Sequence, residues 1–87
     1  MSLDEKEALE QAMNILNMIV EDTSIPRNIR RAANEALEYL KNESLEIALR
    51  SNNAISVLDQ AAIEPTCPMH ARTKIYRVIS LLEPLNK

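Results

Sequence analysis

Four stretches of the chain repeat apolar residues at the three- and four-residue spacing of helices buried on one side. The first is predicted from about Asp4 to Glu21. Glu7, Glu10, Asn14, Asn17 and Glu21 form one narrow polar stripe, and Leu9, Ala12, Met13, Ile15, Leu16, Ile19 and Val20 fill the rest. Such a helix should touch neighbours on more than one side. Ser2 and Glu5 stand at capping-box spacing, and acids crowd the first turn, where the helix dipole favours them.

Asp22 to Ile25 then turn the chain, and Pro26 suits a first helical turn, where its missing N–H costs nothing. The second helix should reach about Lys41 with Ile29, Ala32, Ala33, Ala36, Leu37 and Leu40 inward; its alanines allow close approach to the first. Asn42-Glu43-Ser44 reads as a short polar break. The third helix is predicted from about Ser44 to Ile63. Its apolar face begins with Leu45, Ala48 and Leu49, then shifts around Ser51-Asn52-Asn53 to Ala54, Ile55, Leu58, Ala61 and Ala62, which leaves room there for a bend or a second helix N-terminus. Pro65 ends it. The fourth starts near Pro68 and turns Ala71, Ile75, Val78, Ile79 and Leu82 to the core, and Pro84 limits its end.

A shift of 42 positions matches the first half of the chain to the second. Ala12 falls on Ala54, Leu16 on Leu58, Asp22 on Glu64, Ser24 on Thr66, Pro26 on Pro68, Arg30 on Arg72 and Leu40 on Leu82. The period lies within that of HEAT-like units, ~40–47 residues. Two such hairpins would expose too much apolar surface as an open solenoid. The expected fold class is therefore all-α: a compact four-helix up-and-down bundle built from two HEAT-like helical hairpins. Residues 1–87 would form a single helical domain, with hairpin 1 over about 4–41 and hairpin 2 over about 44–83.

Composition narrows the chemistry. Glycine is absent, which removes Walker loops, dinucleotide fingerprints, nucleophile elbows and EF-hand loops, all of which need it where backbone meets ligand. Phe and Trp are absent too, leaving Tyr39 and Tyr76 as the rings on which a base could stack. One cysteine permits no internal disulfide and fits a reducing interior. No signal peptide, lipidation motif or bilayer-length apolar run is evident, so a cytoplasmic location and no membrane partner are expected. The net charge is −3, unevenly distributed: −4 over residues 1–21, +2 over 22–31, −4 over 32–66 and +3 over 67–87. The positive segments begin near the two prolines, Pro26 and Pro68.

If helices 2 and 4 begin at the same end, Arg27, Arg31, His70 and Lys74 gather near two helix N-termini. That combination suits an anion or an acidic partner. Arg30 and Arg72 follow Asp22 and Glu64 by eight residues, the arrangement in which acid and arginine brace the turn of a HEAT-like unit, and internal bracing is the expected role of these four. Arg27 and Arg31 lie off the inward stripe and are the better candidates for outside contact. Cys67 and His70 could face one metal across a helix turn, but no second ligand pair completes a zinc site, so no metal or cofactor is expected. Nor do they define a substrate cleft for a Cys–His nucleophile. His70 is expected to donate to Glu64 or water. Cys67, between Thr66 and Pro68, reads as an N-cap neighbour or staple contact, although a helix start beside arginines would favour its thiolate. Met13 and Met18 together offer an adaptable binding groove, but core filling is the expected role of Met13, and Met18 reads as an edge residue. Glu35, Glu38, Glu43 and Glu46 form a solvated face, not a carboxylate cage.

Glu21-Asp22-Thr23-Ser24-Ile25-Pro26-Arg27-Asn28-Ile29-Arg30-Arg31-Ala32-Ala33 and Pro68-Met69-His70-Ala71-Arg72-Thr73 resemble the signature of a small archaeal group, the uncharacterised protein family numbered 0147. The resemblance covers nearly the whole chain. It departs at Tyr76, where relatives often carry Trp, and at Glu64-Pro65-Thr66-Cys67-Pro68, where they carry Asp-Pro-Asn-Met-Pro. It implies a compact four-helix fold and an archaeal origin, and brings no activity, cofactor or catalytic residue. The residues favour a non-enzymatic protein-interaction module with an unidentified protein partner. The alternative is an RNA- or ribosome-associated accessory protein using Arg27, Arg31, Lys74 and Arg77. A homodimer is a further option, since two hairpins can leave an apolar flank on helix 1 or 3.

Overall fold

A computed structural model describes residues 4–86. It is all-helical: α1 (Glu5–Glu21), α2 (Arg27–Lys41), α3 (Ile47–Ala62), α4 (Met69–Leu82) and a short 3-10 turn (Glu83–Leu85), with no strand among the described residues. Helix α1 packs on α2 and α4, and α3 packs on the same two. The most extensive interface is α2 against α3. The Cα radius of gyration, 12.0 Å, equals the ~12 Å that compact chains of this length follow.

Burial follows the helical period. Leu16, Ile19, Ile25, Ile29, Leu40, Leu58, Ile75, Val78 and Leu82 are almost wholly removed from solvent, each contributing roughly 1.5–3 kcal/mol of burial free energy. Ala12, Ala33, Ala36, Ala54, Ala61, Ala62 and Ala71 lie between them and let helix axes approach closely. Met13 is partly buried against this core.

No described residue has positive φ, so the usual glycine-type helix stop is not used. Instead Asp22 and Asn42 end their helices in extended backbone, their N–H groups bonded to Ile19 O and Tyr39 O. Pro26 and Pro68 stand at the cap position, one residue earlier than a first-turn placement, because their ψ values of 150° and 158° are extended. Pro26 O accepts from the Ile29 and Arg30 amides, and Pro68 O from those of Ala71 and Arg72. At α1 the cap is Asp4, whose carboxylate accepts from the Glu7 amide at 2.8 Å while Glu7 reaches back to the Asp4 amide. The Ser2 box expected from the sequence lies outside the described residues.

Helix α3 differs most from expectation. It starts three residues later, because Asn42 to Glu46 form a turn, and it runs unbroken through Ser51-Asn52-Asn53. Leu49 is 45% exposed, and Leu45 and Ala48 are half-buried, so the first turn of α3 does not complete the core as its apolar residues suggested. Ser51 is buried, and its hydroxyl lacks a hydrogen-bond partner; nothing in the structure explains its presence there. Past α4, Leu85 folds back into the core, and Asn86 donates to Asn52. Among the described residues no helix is long and apolar enough to cross a membrane.

Candidate functional site

The turn before α2 and the turn before α4 lie side by side, although 42 residues separate them. Asp22 Oδ1 accepts from the Ser24 amide at 2.9 Å and from its hydroxyl at 2.6 Å, a local ring that fixes the first turn. His70 Nε2 then lies 3.2 Å from Ser24 Oγ and 3.6 Å from Asp22 Oδ2. Asn28 donates to Thr66 Oγ1 at 3.3 Å. Thus α4 begins beside the end of α1 and the start of α2. The Asp22 carboxyl is held below the usual carboxylate range, chiefly by the Ser24 hydroxyl and then the Ser24 amide. Partial desolvation opposes this, and the charges of His70 and Lys74 add smaller pulls. His70 therefore meets Asp22 and Ser24, and not Glu64, the protein partner offered beside water by the sequence.

Ser, His and Asp together invite comparison with a hydrolase triad, and the geometry argues against it. One ring nitrogen, Nε2, faces both Ser24 and Asp22. A triad needs the acid on the opposite nitrogen so that Nε2 is free to take the serine proton. Here the Ser24 hydroxyl already donates to Asp22.

The arginines divide into two sets. Arg30 Nε donates to Ile25 O at 2.9 Å. Arg72 donates through Nε to Ala62 O at 3.0 Å and through a terminal nitrogen to Cys67 O at 3.2 Å. Both are half-buried, and their partners are carbonyls at the turns, not the Asp22 and Glu64 carboxylates. Arg50, which the sequence reading did not single out, makes the same contacts at the turn between α2 and α3: Nε to Leu45 O at 2.8 Å and Nη1 to Leu40 O at 3.3 Å. That turn repeats the first in detail, with Asn42 Oδ1 accepting from both the amide and the hydroxyl of Ser44. The signal was present as an Asp, Asn or Glu, then Ser or Thr two residues on, then Arg at the eighth, starting at 22, 42 and 64. Its spacing is about half the period that was followed. Glu64 itself is exposed, and among the described residues its backbone carbonyl, accepting from the Cys67 amide, supplies its turn contact.

Arg27, Arg31 and Arg77 form the second set: exposed, with no ion pair among the described residues. Lys74 is half-buried, close enough to Asp22 to act on its carboxyl. Cys67 is buried beneath the turn, and burial pushes its thiol up, outweighing the opposite influence of Arg72; an activated thiolate is not what this position supplies. Among the described residues no group of three or more His, Cys, Asp or Glu side chains is placed to hold a metal.

Below this pole, α1 and α4 leave an open groove of about 460 Å³. Gln11, Asn14, Ile15 and Met18 line one side, and Thr73, Lys74 and Arg77 the other. Met18 is 55% exposed, so the edge position read from the sequence faces a groove, whereas the remaining lining required knowing which helices are neighbours. A smaller, more polar recess between α2 and α3 is lined by Asn28, Glu35, Gln60 and Glu64 among others.

These features define a small all-helical protein whose three turns are tied by arginine to backbone, with two of the turns joined at one pole. The chain belongs to a family already delimited by sequence: the profile of Uncharacterised protein family (UPF0147) matches residues 1–85. It is 48% identical over 84 residues to the UPF0147 protein of Desulfurococcus amylolyticus, covering 97% of this chain and 92% of that one. It is 45% identical over 80 residues to that of Sulfurisphaera tokodaii, with 92% and 90% covered. A crystal structure of a UPF0147 protein from Thermoplasma acidophilum superposes with a TM-score of 0.89 at 32% identity, covering 93% of this chain and 95% of that one. The crystal structure of the unknown-function protein MMP1188 gives 0.89 at 42% identity, with 95% and 94% covered.

Proposed function

We propose that this protein is a non-enzymatic protein-interaction module, a closed four-helix up-and-down bundle of two HEAT-like hairpins that meets an acidic partner near the starts of α2 and α4. The observation that carries the reading is the division of the arginines. Arg30, Arg50 and Arg72 have carbonyl partners, whereas Arg27, Arg31 and Arg77 stand exposed without a described ion pair. The molecule is net-negative. A long polyanion would feel repulsion from the body of such a protein, whereas a local acidic patch on another protein meets mainly the exposed cations. The RNA-associated alternative draws on the same arginines and on Tyr76, which is 49% exposed one residue before Arg77.

Affinity purification of the tagged full chain from its native host, with protein and RNA both identified, separates the two. A protein partner weakened by ~0.5 M salt but still retained, and lost after changes to apolar surface residues, is expected, because screening removes the arginines' share of the attraction and leaves any short-range apolar contact. Stoichiometric enrichment of one RNA, lost steeply as salt rises and abolished by Arg27→Glu and Arg31→Glu, would reverse the ranking.

A further inference from the structure

We infer that the groove between α1 and α4 is a docking site for a short amphipathic helical segment carrying acidic residues, supplied by another protein. The inference rests on the interaction-module reading and names the surface and the chemistry of its occupant.

Three observations choose that occupant. First, the floor is apolar: Ile15 and the exposed Met18 stand beside the methyl-bearing Thr73. Methionine at a half-open surface adapts to differing apolar side chains. Second, Lys74 and Arg77 border the groove and, among the described residues, no carboxylate lines it; Lys74 shares its field with Asp22 at the pole, which leaves Arg77 as the cation with no described ion pair on a net-negative protein. An apolar side chain placed on Met18 with acids flanking it would answer both features, as when a helix lies in a groove through side chains spaced three or four apart.

Third, the groove is short. From Gln11 to Met18 it follows α1 for about 10 Å, at 1.5 Å per residue. A stable pair of folded chains buries about 800 Å² on each side, more than two helical turns of groove provide. A two-fold pairing centred here would also set Lys74 and Arg77 of one copy facing those of the other, with no lining acid between them. A second copy of this chain is therefore the poorer occupant.

The test uses the full ¹⁵N-labelled chain and a capped synthetic peptide of about fourteen residues, with Leu anchors at helical spacing and Glu on both flanks. A second peptide replaces every Glu by Lys. The acidic peptide should shift the amides of Ile15, Met18, Thr73 and Arg77 saturably, the basic one should bind at least tenfold more weakly, and Met18→Glu and Arg77→Glu should each abolish the response. Both positions are exposed, so far-UV circular dichroism of the variants should match the parent. Absence of a saturable shift, or equal response to both peptides, would overturn the proposal. So would the same shifts appearing as protein concentration alone is raised, since the occupant would then be a second copy. If the Met18→Glu chain still retains the native protein partner, the groove assignment fails while the wider reading stands. If no protein co-purifies with the parent chain at all, the wider reading fails.

Discussion

At the scale of single residues, the arginines show how one side chain can be a fastener in one position and a contact in another. Arg30, Arg50 and Arg72 sit at the same offset from three turns and each donates to the turn carbonyl five residues back, and Arg50 and Arg72 use the rest of the fork to reach Leu40 O and Ala62 O in the last turns of α2 and α3. In a chain without glycine, this replaces part of what a left-handed cap would do for the exposed helix ends. Charged hydrogen bonds of this kind contribute about 1.5–3 kcal/mol each. Arg50→Ala should therefore destabilise by about 2 kcal/mol, and Arg50→Lys should recover little, because an ammonium cannot span two carbonyls in a fixed plane. Arg27→Ala and Arg31→Ala should stay within about 0.5 kcal/mol of the parent. Urea unfolding of the four variants measures this; equal losses in both sets would remove the distinction on which the functional reading rests.

At the scale of elements, the joining of the two turns depends on Asp22. It fixes its own turn through Ser24 and meets His70 at the start of α4. Its folded pKa lies below that of the unfolded chain, so its contribution is fully present above the unfolded value of about 3.9 and is lost as pH falls through the lower folded value. Asp22→Asn keeps the acceptor that Asn42 already uses for the same bond in the next turn. The variant keeps the turn but not the charge, so it should be less stable than the parent near neutrality and converge on it as pH falls below about 4, where the parent loses the carboxylate's contribution. Urea midpoints across that range test it; identical acid profiles would mean the carboxylate charge does not contribute. Much of this element-scale picture was legible in the chain. The apolar faces of α2 and α4, and the helix starts at Pro26 and Pro68 to within one residue, follow from helical period and proline's fixed φ, both local properties. The start of α3 was misread because the deciding fact is not local. Leu45 and Leu49 have helical spacing, but Leu45 falls in the turn before α3, and whether Leu49 is covered depends on the neighbour, which leaves it open.

For the molecule as a whole, the hairpin suggested by the repeat is not where packing is densest. The largest interface joins α2 to α3, across the boundary between the two matched halves, and α1 meets α4 across it as well. Peptides of residues 4–41 and 44–83 made separately should each be poorly helical by circular dichroism, because isolating them exposes Ile29, Leu40, Leu58 and Ile75 and leaves helices of 14–17 residues near the ~12–15-residue margin for isolated helix formation in water. A cooperative thermal transition in the 4–41 peptide alone would show that the first hairpin folds independently.

The chain by itself determined where helices form, which side of most of them is apolar, and where proline and the polar turn residues interrupt them, because each of these depends on residues within a few positions of one another. Its repeated turn was legible too, although the half-period and Arg50 went unread. Tertiary structure decided that His70 meets Asp22, that three guanidinium groups reach carbonyls instead of carboxylates, and that Met18 and Arg77 border one groove. Those outcomes require knowing which distant segments become neighbours and which way each backbone carbonyl points, and helical periodicity carries no information about either.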